Sequence, residues 1–160
     1  MTGGQSSPLR VGSGYDSHRF VAGRDLILGG VEIDHDLGLD GHSDADVVAH
    51  ALTDAILGAA GLGDLGTHFP PDDEKWRDAD SIELLRNVVG LVDGRIINGD
   101  VTIICEQPKI GPHRQQMERN LTAATGAPVS VKATTNERMG WIGRGEGIAC
   151  QAVVLIELAR

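Results

Sequence analysis

The chain has 160 residues, 41% of them hydrophobic and 23% charged, and a net charge of −9 at pH 7. That length suits one domain with a substantial core, while the acidic balance excludes the basic footprint of a nucleic-acid binder. Five aromatic residues (two Phe, two Trp, one Tyr) are too few for a base-stacking platform, and no apolar run approaches the ~20 residues that span a bilayer.

In chain order, the opening MTGGQSSPLR has neither the apolar core of a signal peptide nor the amphipathic, Arg-rich character of a transit peptide. Residues 1–8 read as a flexible leader to one domain over 9–160. LRVGSGYDSHRF reads as a first strand running into a polar segment, and LILGGVEI as two short β runs about a tight turn at Gly29-Gly30. The strongest helical signal follows. Val47, Val48, Ala51, Leu52, Ala55, Ile56 and Ala59 form an apolar stripe. Ser43 and Asp46 have the spacing of a capping box, and Gly61 and Gly63 end the helix.

A second helix is expected over Ser81–Val92, a buried strand in INGDVTIICE, and a third helix in GPHRQQMERNLTAATG. VSVKATT and GIACQAVVLIEL complete the set as strands. This interleaving predicts an α+β (mixed α/β) fold, a single domain with one β-sheet covered by helices. Cys105 and Cys150 stand alone in apolar runs and are expected to be buried, reduced thiols, as in a cytoplasmic protein.

Asp46, His50 and Asp54 follow at i, i+4 and i+8 on the first helix and share a face, expected to be the polar one. Asp16 and His18, two apart on an extended segment, point to one side of their strand. If strand and helix pack together, Asp16, His18 and His50 converge as a ligand set suited to tetrahedral Zn²⁺ with the fourth position open. Asp-x-His also arises by chance, so spacing alone leaves open a reading as ordinary solvated side chains.

The neighbouring segments favour chemistry. His42 and Ser43 lie at the helix opening, where free N–H groups and the dipole favour an anion. Asp64 is bounded by glycines, Asp72 and Asp73 sit in an acidic loop, and Thr134 and Thr135 end a strand. Glu137, Arg144 and Glu146 follow among glycines. Singly these read as turns, plain strand and a surface ion pair; together they describe metal-assisted phosphate chemistry.

GYDSHRF, GHSDADVVAHALTDAILGAAGLGDLG, HFPPDD, VTIICEQPKI and VKATTNERMGWIGRGEGIAC stand in an order and spacing that resemble the 2-C-methyl-D-erythritol 2,4-cyclodiphosphate synthase family over nearly the whole chain. The resemblance implies an enzyme of the non-mevalonate route to isoprenoids. It would turn 4-diphosphocytidyl-2-C-methyl-D-erythritol 2-phosphate into the cyclic diphosphate, releasing CMP. It further implies that Asp16, His18 and His50 hold Zn²⁺, and that Glu137 holds a second divalent ion, Mg²⁺ or Mn²⁺.

By the same resemblance, His42 and Thr135 steady the transition state, with Ser43 beside the phosphates. Asp64, Leu65, Gly66, Phe69, Asp72 and Asp73 meet the methylerythritol part. Cys105, Glu106, Gln107, Pro108, Lys109, Ile110, Gly111 and Thr134 form the cytidine pocket. The family resemblance also implies a homotrimer with active sites at subunit interfaces, and a central cavity, lined by Trp141, Arg144 and Glu146, that can take an isoprenoid diphosphate. The chain departs from the family pattern at Pro71, where an aspartate is common, and at Trp141, where a smaller aromatic is common. Asp72 or Asp73 is then expected to replace the missing carboxylate. A metal-dependent phosphohydrolase and a non-catalytic isoprenoid-diphosphate-binding trimer are the competing readings.

Overall fold

A computed structural model describes residues 8–70 and 72–159. The predicted leader, apart from Pro8, and the departure at Pro71 lie outside the described residues. Strand β1 (Leu9–Val21) is longer than expected and carries the polar DSHRF segment within it. It pairs antiparallel with the closing strand β7 (Gly147–Leu158), which pairs antiparallel with β5 (Gly94–Ile104). β5 in turn pairs in parallel with β6 (Val129–Thr134). The short β4 (Gly38–Leu39) completes a five-stranded mixed sheet of order β4-β1-β7-β5-β6. A separate hairpin joins β2 (Leu26–Leu28) to β3 (Val31–Ile33), and its turn residues Gly29 and Gly30 both have φ near +60° (56° and 68°), the conformation that a tight two-residue turn requires.

The helices cover one face of the sheet. Helix α1 (Val47–Ala60) packs on β1 and β7, α3 (Ser81–Val89) packs on α1, and α4 (Arg114–Thr125) connects parallel β5 and β6. Two single turns, α2 (Leu65–His68) and α5 (Gly140–Gly143), are surface elements. The core gathers Leu26, Leu28, Leu52, Ile56, Leu57, Leu85, Ile103, Met117, Leu121, Ile148 and Ile156. The mixed single-domain fold with a helix-covered sheet agrees with the expectation. Cys105 and Cys150 are indeed free and buried.

Three local expectations are corrected. Helix α1 begins one step past Asp46, which is its N-cap, and not at a Ser43 capping box. Ala45 at φ 56° turns the chain just before the helix. The Asp46 carboxylate then accepts the Val48 and Ala49 N–H groups, both at 3.1 Å. Ser43 instead accepts the Ala45 N–H. The face bearing Asp46 and His50 is covered rather than polar: Asp46 is fully buried, and its oxygens accept Gly29 N–H at 2.8 Å and Gly30 N–H at 2.7 Å. Finally, α3 ends at Val89, where the Gly90 N–H closes on Arg86, so Leu91 and Val92 lie in the following turn.

The contact between α1 and β1 is one of backbone on backbone. A Cβ added to Gly12 or to Gly14 would lie 1.9 Å from the Ala55 or the Ala51 carbonyl oxygen, respectively. Only glycine on the strand, facing alanine on the helix, permits this approach. Gly14→Ala should therefore cost about 1–3 kcal/mol by overpacking, and should lift α1 from β1. Urea denaturation, with zinc affinity measured in parallel, checks this; a stability and affinity equal to the unmutated protein would contradict it.

Candidate metal centre

The α1–β1 contact continues into the site. On β1, Gly12, Gly14, Asp16 and His18 share the face turned to α1. Gly12 sits against Ala55 and Ala59, and Gly14 against Ala51 and Ala55, so strand and helix run past each other in opposite directions. The next step places Asp16 beside His50. Asp16 Oδ2 lies 2.9 Å from His18 Nε2 and 3.0 Å from His50 Nδ1, and the two imidazole nitrogens are 3.3 Å apart. Four donors spread tetrahedrally about an ion at bond lengths of ~2.0–2.1 Å would be about 3.3 Å apart. One carboxylate oxygen and two imidazole nitrogens at nearly that spacing are compatible with a divalent metal ion.

The remaining nitrogen of each imidazole is held. His18 Nδ1 meets the Asp40 carbonyl oxygen at 2.6 Å, which turns Nε2 inward. His50 Nε2 lies 2.8 Å from Ser81 Oγ and 3.1 Å from Ser43 Oγ, which turns Nδ1 inward. Such outer partners orient metal-ligating histidines.

The electrostatics fit a site that either pairs its charges or binds a cation. Burial alone would raise the Asp16 carboxyl, but the His18 and His50 hydrogen bonds outweigh it and hold the group well below the usual carboxylate range. Burial would likewise lower His18, yet Asp16, followed by the Asp40 carbonyl, raises it above its ordinary value.

A cavity of about 240 Å³ opens beside the cluster, lined by Asp16, His18, His42, Ser43, His50, Leu65, Gly66, Phe69, Trp76 and Leu84. The structure thus gathers the three predicted ligands with His42, Ser43, Leu65, Gly66 and Phe69. The His42–Ser43 loop is fixed from three sides. The Arg24 guanidinium donates to the Gly41 and Ser43 carbonyls, the Asp78 N–H donates to the His42 carbonyl at 2.9 Å, and His42 Nε2 meets the Asp73 carbonyl at 3.0 Å. The expected anion site at the helix opening is not free, because the Asp46 carboxylate takes the Val48 and Ala49 N–H groups. Asp64 caps α2, and its carboxyl is lowered by the hydrogen bonds from Thr67. Asp73 caps the turn at Glu74–Trp76.

The other predicted residues form a second group. Glu106 Oε1 accepts the Asn136 N–H at 2.9 Å and the Arg138 N–H at 3.2 Å, and the Cys105 N–H donates to the Thr134 carbonyl at 3.1 Å. These bonds tie Cys105–Gly111 to the Thr134–Arg138 turn, in which Thr135 Oγ1 lies 3.2 Å from Glu137 Oε1. Burial, then the charge of Glu106, pushes the Cys105 thiol up to about 11, so it stays a thiol. Trp141 and Glu146 line a cavity of about 670 Å³ with Ser17, His18, Arg19 and Phe20, and Arg144 is paired with Glu146 at 2.6 Å.

In the sheet, Ser17 pairs with Ala149, Ala149 with Ile104, and Ile104 with Thr134. The two groups therefore lie at the same end of the sheet, with β7 between them and about 10–14 Å apart at ~4.8 Å per strand. Arg24, Asp44, Ser81 and Trp76 were missed from the sequence. DADS offered only a helix-start signal, and a lone arginine in a loop offered none.

Residues 9–157 match the model of the YgbB family. The chain belongs to the YgbB family. It is 59% identical to the 2-C-methyl-D-erythritol 2,4-cyclodiphosphate synthase of Symbiobacterium thermophilum, over 92% of this chain and 98% of that protein. Its structure is similar to an IspF–CDP complex from Plasmodium falciparum, with TM-score 0.83, 32% identity, and coverage of 98% of this chain and 100% of that one. It is also similar to the bifunctional IspDF of Campylobacter jejuni, with TM-score 0.90 and 41% identity. There the match covers 94% of this chain but 42% of the longer one.

A metal ion requires His18 neutral, so a proton competes for its place. In the metal-free protein the raised His18 pKa makes the Asp16–His18 pair stabilising below about pH 6.5, the ordinary imidazole value, and that stability is lost as pH rises through the folded value. Zinc affinity should run the other way, rising up to about tenfold per pH unit through the His18 transition and then levelling. Calorimetric titration from pH 5.5 to 8 in two buffers should also reveal proton release on binding. A pH-independent affinity would contradict this account.

Proposed function

We propose that the chain is a phosphorus–oxygen lyase that closes 4-diphosphocytidyl-2-C-methyl-D-erythritol 2-phosphate to the 2,4-cyclic diphosphate with release of CMP, in non-mevalonate isoprenoid synthesis. The observation that carries this reading is the Asp16/His18/His50 cluster at the wall of a cavity, in a chain matching the family from residue 9 to 157. Zn²⁺ bound by these three, and Mg²⁺ or Mn²⁺ bound by Glu137, would neutralise phosphate oxygens and act as Lewis acids.

The chain's own residues position the substrate. His42 and Thr135 donate to oxygens on which charge develops, and Ser43 stands beside the phosphates. Leu65, Gly66, Phe69 and the Asp72–Asp73 loop shape the pocket for the methylerythritol part. Cys105–Gly111 and Thr134 receive the cytidine. The 2-phosphate oxygen forms the new bond to the β-phosphorus while the bond to the CMP oxygen breaks, so no covalent nucleophile is required of the protein. Orientation and electrostatic complementarity carry the rate.

The reading includes a homotrimer in which one copy supplies the triad and a neighbour supplies the Cys105–Gly111 and Thr134–Glu137 group. Two features support it. The two groups are separated across β7 within one chain, and the sheet face away from the helices is bare, with Val11 70%, Tyr15 57% and Val153 42% exposed. A central cavity on the axis, with Arg144 toward an isoprenoid diphosphate, belongs to the same reading. So does a cytoplasmic site of action, supported by two free, buried thiols. No helix of the described residues is long and apolar enough to cross a membrane.

Phosphorus-31 NMR of the zinc- and magnesium-loaded protein with the cytidine diphosphate substrate should show CMP and a pair of coupled cyclic-diphosphate resonances. Inorganic phosphate or a linear product would make water the nucleophile and identify a hydrolase. Intact metal-loaded protein that leaves the substrate unchanged would favour a binding role. His50→Gln and Glu137→Gln should each be inactive alone. Unfolded and refolded together, they should regain part of the activity if sites are shared between copies, and none if each chain is self-sufficient.

A further inference from the structure

We propose that Ser81 and Asp44 are positioning residues that hold His50 ready to bind a metal ion through its Nδ1 atom. His50 Nε2 lies 2.8 Å from Ser81 Oγ. The Ser81 hydroxyl donates to Asp44 Oδ1, and an ionised carboxylate is an acceptor only. The serine proton is therefore committed to Asp44, and a serine lone pair faces His50. With Nδ1 turned to a metal, the His50 Nε2–H donates to Ser81, and the chain runs from imidazole to hydroxyl to carboxylate. Ser43 Oγ, 3.1 Å from the same nitrogen, is the more distant acceptor.

The start of α3 does not need a hydroxyl at position 81. The N-cap of α3 is Asp80, whose carboxylate accepts the Ile82 N–H at 2.8 Å. Ser81 is nonetheless fully buried. Asp44 is also held in place: its Oδ2 accepts the Ser81 N–H at 3.0 Å, and its own N–H donates to the Ala79 carbonyl at 3.1 Å. A histidine whose outer nitrogen is fixed through a hydroxyl to a carboxylate is both oriented and made more basic at its inner nitrogen. Loss of such a partner typically weakens metal binding about 10–100-fold.

This inference rests on the metal reading of the Asp16/His18/His50 cluster, and the test separates the two. Zinc dissociation constants of the full chain would be measured by competition with a chromophoric chelator. Ser81→Ala and Asp44→Asn should each weaken binding by about 10–100-fold. The double variant should lose no more than the weaker-binding single variant, because both act along one chain.

With cadmium-113 and nitrogen-15 labelling, the unmutated protein should show metal coupling to His50 Nδ1 and a proton on Nε2. The Nε2 proton resonance should move in Asp44→Asn, although Asp44 does not touch His50. If the unmutated protein binds no zinc, the metal reading falls and this inference with it. If it binds and the two variants bind equally well, or lose affinity additively, this inference alone is overturned. Cadmium coupling to His50 Nε2, or an Nε2 proton that shows no hydrogen bond to Ser81, also overturns it, and both are read in the unmutated protein whether or not the variants fold.

Discussion

The site depends on how closely helix α1 approaches strand β1. Gly12 and Gly14 leave no side chain between strand and helix, and the Ala51 and Ala55 carbonyls occupy the space a Cβ would fill. A strand advances ~6.6–6.8 Å over two residues and a helix ~5.4 Å per turn, so successive same-face strand residues meet successive helical turns. Gly12 meets the turn of Ala55–Ala59, Gly14 that of Ala51–Ala55, and Asp16 that of His50. The Asp16, His18 and His50 cluster therefore continues a packing register, and each of its residues is carried by a regular element rather than a loop. Rigid elements hold such a constellation more tightly than loops can.

A register brings side chains near one another, and buried hydrogen bonds then choose which atoms face inward. Asp46 does this at the level of segments. One buried carboxylate caps α1 and also grips the Gly29–Gly30 turn, fixing the hairpin against the helix start. Arg24 fixes the carbonyls on either side of His42. The Asp40 carbonyl and Ser81 act at the level of single atoms, through the outer nitrogens of His18 and His50. Among the described residues no buried side-chain nitrogen or oxygen lacks a partner. The outer contacts of the cluster are thus already made, and toward its centre Asp16, His18 and His50 meet only one another.

Periodicity made most of this legible in the sequence. The two-residue spacing of Asp16 and His18 sets one side of an extended segment, and the Val47–Ala59 stripe sets a helix. Spacing makes Asp16, His18 and His50 one candidate ligand set, and the family resemblance favours it over ordinary solvated side chains. The covering of the Asp46–His50 face was not legible, because it depends on α3 and the β2–β3 turn arriving from elsewhere in the chain. The helix start was misplaced because Ser43 and Asp46 both fit a capping pattern, and tertiary demand chose between them. Ser43 is drawn to His50, leaving Asp46 to cap. Ser81 and Asp44 escaped notice because they stand 37 residues apart, and each has an ordinary local role at a helix or loop.

The division of the remaining predicted residues is a consequence of the sheet itself. Cys105–Gly111 follows β5, and Thr134–Glu137 follows β6, while the triad hangs on β1; β7 is bonded on both sides between them. A fully paired central strand cannot yield without breaking the core that Ile148, Cys150, Ala152 and Val154 share with α1. No plausible loop adjustment closes a gap of two to three strand spacings, about 10–14 Å. Within one chain the two groups lie at the same end of the sheet and are kept apart by β7. That separation is one of the two observations that support the proposal of shared sites. The sheet face carrying Val11, Tyr15 and Val153 is exposed, as the proposed assembly would require of its docking surface.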